Sequence, residues 1–133
     1  MQITLESDYA VRIVGCLAEA GRRMDAKTIS EQTCVTLRFA LKILRKLVAS
    51  GIIRSFKGTQ GGYELAKKPA EISLKDVIET VEGRYCLSKC LTEEHNCSRG
   101  MSGVCRCQKV YGEISAEVEK KLASYTFYML IDT

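Results

Sequence analysis

The chain has 133 residues, a formal net charge of +4, 46% hydrophobic residues and 27% charged residues. That composition supports one compact core and excludes compositional disorder. No apolar run is long enough to span a bilayer. The opening Met-Gln-Ile-Thr-Leu-Glu-Ser-Asp lacks the basic start and apolar stretch of a secretory signal, so a cytoplasmic protein is expected.

The first helix is predicted from Ser7 to Ala20. Ala10, Ile13, Val14, Leu17 and Ala18 recur at helical spacing. Ser7 is the candidate N-cap and Gly21 the stop. A short second helix follows over Ala26–Gln32, capped by Asp25. A third opens at Thr36 and ends near Ser50, with Gly51 beyond it. On its helical wheel Ala40, Ile43, Leu44, Leu47 and Val48 share one face. Arg38, Lys42, Arg45 and Lys46 share the opposite one.

The run Ile52–Lys57 is β-branched and aromatic, and Tyr63–Ala66 reads as its returning strand. Between them, Gly58, Gly61 and Gly62 permit a tight, positive-φ tip. Pro69 ends this hairpin. Ser73 and Asp76 then form a capping box for a helix through Val77, Ile78 and Val81 to Gly83. Residues 84–107 have no periodicity. After them Val110, Ile114, Val118, Leu122 and Tyr125 stripe a long amphipathic helix, residues 108–126. The stripe can pack on its own domain or form a two-helix dimer seam. The tail, residues 127–133, is apolar and has no readable pattern. The fold class is mainly α with a small β-hairpin wing. It divides into a winged helix-turn-helix (1–83), a cysteine-rich loop (84–107), a dimerisation helix (108–126) and the tail.

Charge is unevenly placed. Residues 1–69 carry twelve Lys or Arg against six Asp or Glu; residues 70–133 carry eight against ten. No acid occurs between Glu31 and Glu64, a window holding Arg38, Lys42, Arg45, Lys46, Arg54 and Lys57. A helix buried on one side and cationic on the other, followed by a basic hairpin, suits a polyanion such as double-stranded DNA. A solvated basic face fits the same periodicity.

Five of the seven cysteines fall within 22 residues: Cys86, Cys90, Cys97, Cys105 and Cys107. In a chain without a secretory signal, metal or redox chemistry outranks disulfides. Zinc sites usually show closely paired ligands such as Cys-x2-Cys, and none occurs here. A bare set of redox thiols is the other alternative. Cys16 and Cys34, within the helical part, are expected to be buried or half-buried. The chain also lacks Cys-x2-Cys-x2-Cys and a nucleotide-binding glycine fingerprint. Neither an electron carrier nor an enzyme with a small-molecule substrate is therefore expected.

Three stretches carry a resemblance covering roughly residues 1–125. They are Asp8-Tyr9-Ala10-Val11-Arg12; the helix-to-wing stretch from Leu44 through Gly61-Gly62-Tyr63-Glu64-Leu65-Ala66; and Ile72-Ser73-Leu74-Lys75-Asp76-Val77-Ile78 leading to Val81-Glu82-Gly83. Together they resemble the winged-helix transcription regulators that include IscR, NsrR, RirA and CymR. The resemblance implies a homodimer whose long C-terminal helices cross, a third helix reading the major groove and a wing entering the minor groove. By position, Thr36, Arg38, Lys42 and Arg45 fall on the recognition helix, and Lys57 and Gln60 at the wing. Many relatives have glutamate at the position of Leu41, arginine at that of Lys57 and glycine at that of Cys34. These departures leave the operator sequence open.

Some members of that group hold an iron–sulfur cluster with three cysteines of this loop. Cys90, Cys97 and Cys105 match best, and soft thiolates suit iron. Candidates for a fourth ligand are Asp8 from the other subunit, Cys107, Cys86 and His95. The implied function is a repressor or activator that senses cluster status, redox state or nitric oxide. The alternative is a regulator of the same kind without a cluster, signalling through a partner protein or thiol oxidation.

Overall fold

The computed structural model describes residues 2–94 and 96–131. In chain order its elements are α1 (Leu5–Ala20), α2 (Ala26–Thr33), α3 (Leu37–Ala49), β1 (Ile53–Phe56), β2 (Gly62–Leu65), α4 (Leu74–Glu82), α5 (Arg106–Ser124) and α6 (Phe127–Leu130). One-turn 3-10 segments lie at Pro69–Glu71 and Lys89–Leu91. The mainly helical architecture with a two-stranded hairpin is the one expected. No helix among the described residues is long and apolar enough to cross a membrane.

Local capping chemistry explains most boundaries. Asp25 accepts from the Thr28 N–H and opens α2. Thr36 does the same for α3 through Phe39. Ser73 and Asp76 exchange side-chain and backbone hydrogen bonds at 3.1 and 2.9 Å to open α4. Satisfying these orphan N–H groups is what a cap contributes.

The start of α1 departs from expectation. Thr4, not Ser7, is the cap, and it accepts from the Ser7 N–H. The Thr4 N–H is itself held by Glu82 Oε1 at 2.9 Å. That contact, from the far end of α4, secures the extra turn. Ser7 is thereby drawn inside the helix and fully buried, with no hydrogen-bond partner for its hydroxyl.

The core is one cluster. Ala10, Ile13, Val14 and Leu17 of α1 meet Ala40, Ile43, Leu44 and Leu47 of α3, with Ile29, Ile53, Ile72 and Val77 closing the sides. β1 and β2 pair antiparallel, from Ile53 opposite Leu65 to Phe56 opposite Gly62.

The tail, unreadable in sequence, belongs to this core. After α5 the chain runs alongside Ser73: the Leu74 N–H donates to the Tyr125 carbonyl and the Phe127 N–H to the Ile72 carbonyl, both at 2.9 Å. This lodges the Phe127 ring in the core at 1% exposure. Residues 132–133 lie outside the described residues.

The stripe on α5 divides. Toward its C-terminal end, Val118 and Leu122 are half-buried, and Glu119 pairs with Lys75 and Arg84, each at 3.6 Å. Val110 and Ile114, nearer its start, are 48% and 42% exposed. Two of the five stripe residues therefore pack partly on their own domain, while Val110, Ile114 and Tyr125 are uncovered.

Phe127→Ala is expected to destabilise the protein by roughly 3–5 kcal/mol, read as a lowered urea midpoint. A midpoint equal to that of the parent would mean that the tail is not part of the core.

Candidate nucleic-acid interface and cysteine loop

Burial of Ala40, Ile43, Leu44 and Leu47 sets the roll of α3. Arg38, Lys42 and Arg45 consequently stand exposed on one outward stripe. Thr36 sits at the helix start, where its hydroxyl is engaged as the cap. Leu41 is half-buried, whereas Leu37 and Phe39 expose apolar surface beside the cationic stripe. The Phe39 ring is steadied edge-on by Tyr9, 5.6 Å between centroids.

Two members of the basic window are paired with an acid, one closely and one loosely. Lys46 Nζ lies 2.7 Å from Glu6 Oε1, and the more exposed Lys42 is 3.8 Å from the same oxygen. The acid-free stretch of sequence thus meets an acid contributed by α1. Position along the chain gave no warning of it, because Glu6 and Lys46 are 40 residues apart.

The wing carries Lys57 and Gln60 exposed at its tip. Its glycine pair has two steric causes. A Cβ on Gly61 would stand 2.5 Å from the Phe56 carbonyl oxygen. One on Gly62, which adopts φ +141°, would stand 2.5 Å from the Met24 carbonyl oxygen. That close approach belongs to a bridge in which Met24 and Tyr63 exchange backbone hydrogen bonds at 2.9 and 2.8 Å. The hairpin is therefore stitched to the connection between α1 and α2.

Arg23, from that same connection, was missed by sequence reasoning. Its guanidinium lies over the Phe56 ring at 3.3 Å from the centroid, donates to the Gln60 carbonyl at 3.1 Å and stands 3.7 Å from Glu64. The one available signal was the Arg22-Arg23 pair set off from the helix face by Gly21.

Cys34 corrects the expectation of burial. It is exposed and ends α2 in the left-handed region at φ 56°, the one non-glycine with positive φ among the described residues. The turn into α3 demands that conformation, which swings the thiol outward. Glycine adopts it without a steric cost. Cys16 is half-buried as expected, with its thiol pushed up by burial and by Glu19.

The cysteine loop is tied to α5. The Leu87 N–H donates to Ser115 Oγ at 2.9 Å. Gln108 Nε2 donates to the Cys90 carbonyl, and Gln108 Oε1 accepts from the Gly103 N–H, both at 2.8 Å. A single glutamine in the first turn of the helix thus links both ends of the loop. It too escaped the sequence reading, since polar residues at a helix start are commonplace.

Cys90, Cys97 and Cys105 are all half-buried, and Cys107 is exposed. The Cys90 thiol donates to Ser88 Oγ at 3.2 Å. Cys105 is the residue before α5 and lies beside the N–H groups of the first turn, though its side chain closes no capping hydrogen bond. Those of Gln108 and Cys107, with the Arg99 charge and the Cys107 thiol, hold it below the ordinary thiol range. The Met101 and Arg99 N–H groups lower Cys97 in the same way. Backbone N–H groups and a nearby cation favour thiolates, the form that ligates iron. The donor set therefore fits an iron–sulfur cluster in its chemistry. Among the described residues, no three His, Cys, Asp or Glu side chains converge closely enough to hold a metal ion. His95 lies outside the described residues. Asp8 is paired with Arg12 at 2.9 Å, and Arg12 also donates to the Thr33 carbonyl.

Comparison with known proteins bears on the whole chain. Residues 3–133 match the family model Rrf2, described as an iron-dependent transcriptional regulator. Protein rrf2 of Nitratidesulfovibrio vulgaris is 30% identical over 128 residues, 95% of this chain and 84% of its own. The HTH-type transcriptional regulator NsrR of Shouchella clausii is 29% identical over 133 residues, 98% of this chain and 89% of its own. Among solved structures, IscR of T. potens aligns with a TM-score of 0.74 at 22% identity, covering 98% of this chain and 85% of that one. CymR of B. subtilis, the global cysteine regulator, aligns at 0.76 and 21% identity, covering 98% and 95%. At these identities the structural likeness speaks to the winged-helix fold.

Arg45→Ala is expected to weaken duplex-DNA binding and to flatten the dependence of log affinity on log salt by about 0.9 for one lost phosphate contact. Lys46→Ala, whose ammonium is already paired with Glu6, should leave that slope unchanged. Fluorescence-anisotropy titrations across a salt series check both. Equal slopes for parent and both variants would place the DNA elsewhere.

Proposed function

Because this chain belongs to the Rrf2 family of transcriptional regulators, we propose that it binds operator DNA as a cytoplasmic homodimer and reports on iron–sulfur cluster status through its cysteine loop. The observation that carries the DNA half is the outward stripe Arg38, Lys42 and Arg45 on a helix whose opposite face is enclosed by core. In this reading α3 enters the major groove from its Thr36 end, while Lys57 and Gln60 approach the adjacent minor groove. The uncovered Val110 and Ile114 of α5 supply the dimer seam, continuing a stripe in which Val118 and Leu122 are half-buried against the chain's own domain.

The sensing half rests on the loop's sulfurs. Cys90, Cys97 and Cys105 would hold the cluster, which when bound supplies a centre sensitive to oxidants and nitric oxide. The chain's own contribution is to keep thiolates available and to control where the loop sits. Backbone N–H groups do the first at Cys97 and Cys105. Gln108 and Ser115 do the second. For the fourth ligand, Cys107 is the nearest cysteine in sequence to Cys105 and its thiol is exposed. Asp8 of the other subunit would first have to leave Arg12. The same lowered thiols support a second reading, a cluster-free member of the family that responds by thiol oxidation.

Anaerobically purified protein should be coloured, with iron and sulfide bound. Cys90→Ser, Cys97→Ser and Cys105→Ser should each bleach it, while Cys16→Ala and Cys34→Ala keep the colour. A labile cluster in Cys107→Ala but not in Asp8→Ala would assign the fourth ligand to the loop; the converse would assign it to Asp8. Colourless, iron-free protein that takes up zinc tightly would overturn the cluster reading, and colourless protein indifferent to both metals would leave thiol oxidation.

A further inference from the structure

We propose that Arg23 is a positioning residue for the wing: it sets where Lys57 and Gln60 stand relative to α3 without itself contacting DNA. The inference rests on the DNA-binding reading above and adds a residue outside both reading elements. Three contacts from one guanidinium support it. Arg23 covers the Phe56 ring at 3.3 Å, and Phe56 is the last residue of β1. It donates to the Gln60 carbonyl at 3.1 Å, within the wing turn. It stands 3.7 Å from Glu64 on β2. The ascending strand, the tip and the descending strand are thus all held by one side chain.

The neighbouring backbone gives that side chain a fixed origin. Met24 is stitched to Tyr63 by two hydrogen bonds, and Gly62 permits the close approach. Arg23 therefore projects from a rigid point along the outer half of the hairpin. A two-stranded ribbon beyond its last core contact has few means of holding an angle. Ile53 is buried at the base of β1, whereas Arg54 and Ser55 are exposed and Phe56 is only half-buried. The outer half of β1 thus makes little core contact of its own, β2 being held at Tyr63, and Arg23 supplies an attachment for Phe56 and the tip. Stacking and forked donation also require the planar guanidinium. A lysine would keep the charge and lose both.

The positioning role separates from a phosphate contact by its salt signature. Arg23→Ala and Arg23→Lys should both bind duplex DNA roughly tenfold more weakly, with the salt slope of the parent. A direct phosphate contact would instead flatten the slope by about 0.9 in Arg23→Ala and be largely restored in Arg23→Lys. That result would overturn the proposal. Hydroxyl-radical footprints should lose protection at the wing's minor-groove site and keep the major-groove protection due to α3. Uniform loss of protection would count against it.

A readout without DNA keeps the two readings distinguishable. Amide exchange at residues 57–61 should accelerate in both variants, while the α1 and α3 core amides are unchanged. Parent-like exchange at those residues would refute the brace even where DNA binding is impaired. If the parent protein protects no duplex, the DNA reading fails, and the exchange data still decide whether Arg23 orders the hairpin.

Discussion

Helix α3 has one face to bury, and the core takes it. Ala40, Ile43, Leu44 and Leu47 are fully enclosed against Ala10, Ile13, Val14 and Leu17 of α1. Side chains packed this closely leave no freedom to roll the helix, because interiors tolerate neither voids nor overlap. The position of every outward residue follows. Arg38, Lys42 and Arg45 form a stripe because their spacing complements the buried one. The wing depends on the same constraint at one remove: β1 begins at Ile53, itself buried, immediately after α3 ends.

The second organising feature is that distant segments fasten the ends of local ones. Glu82 holds the start of α1 through the Thr4 N–H. Ile72 and Leu74 hold the return of the chain after α5, which carries Phe127 beneath α1. Gln108 holds the cysteine loop to the first turn of α5. The loop, α5 and the helix-turn-helix are thus joined through short chains of hydrogen bonds and ion pairs, including Glu119 to Lys75 and Arg84. Under the proposed function, a displacement of the loop would be passed to α3 through these contacts. In a dimer it would appear as a difference in DNA affinity between two arrangements.

What could be read from the chain is what local chemistry decides. Asp25, Thr36 and the Ser73–Asp76 pair declared their helices because a cap acts within one turn. The wheel of α3 revealed its roll because periodicity encodes burial. The misassigned start of α1 shows the limit: Thr4 and Ser7 are both competent caps, and a carboxylate 78 residues from Thr4 selects between them. Lys46 looked as available as Arg45 until Glu6 was placed beside it. Gln108 has no local signature, and the Arg22-Arg23 pair after Gly21 does not say what Arg23 holds, since each acts across segments that only the fold brings together. The tail was opaque for the same reason. Phe127, with Ile131 beside it, anchors it to the core, and four helical residues are too few to show a period.

The loop is where sequence and structure speak to different parts of one question. Sequence supplies the count and spacing of cysteines; structure supplies the N–H donors that favour thiolates at Cys97 and Cys105. Neither alone links the sulfurs to the DNA. The measurement that does so is an anaerobic titration of one duplex, selected from a random pool, with the same protein preparation before and after chelation of its iron. Coupling between loop and reading helices predicts affinities that differ several-fold, with matched dimer content in sedimentation. Superimposable isotherms from coloured and bleached protein would contradict it.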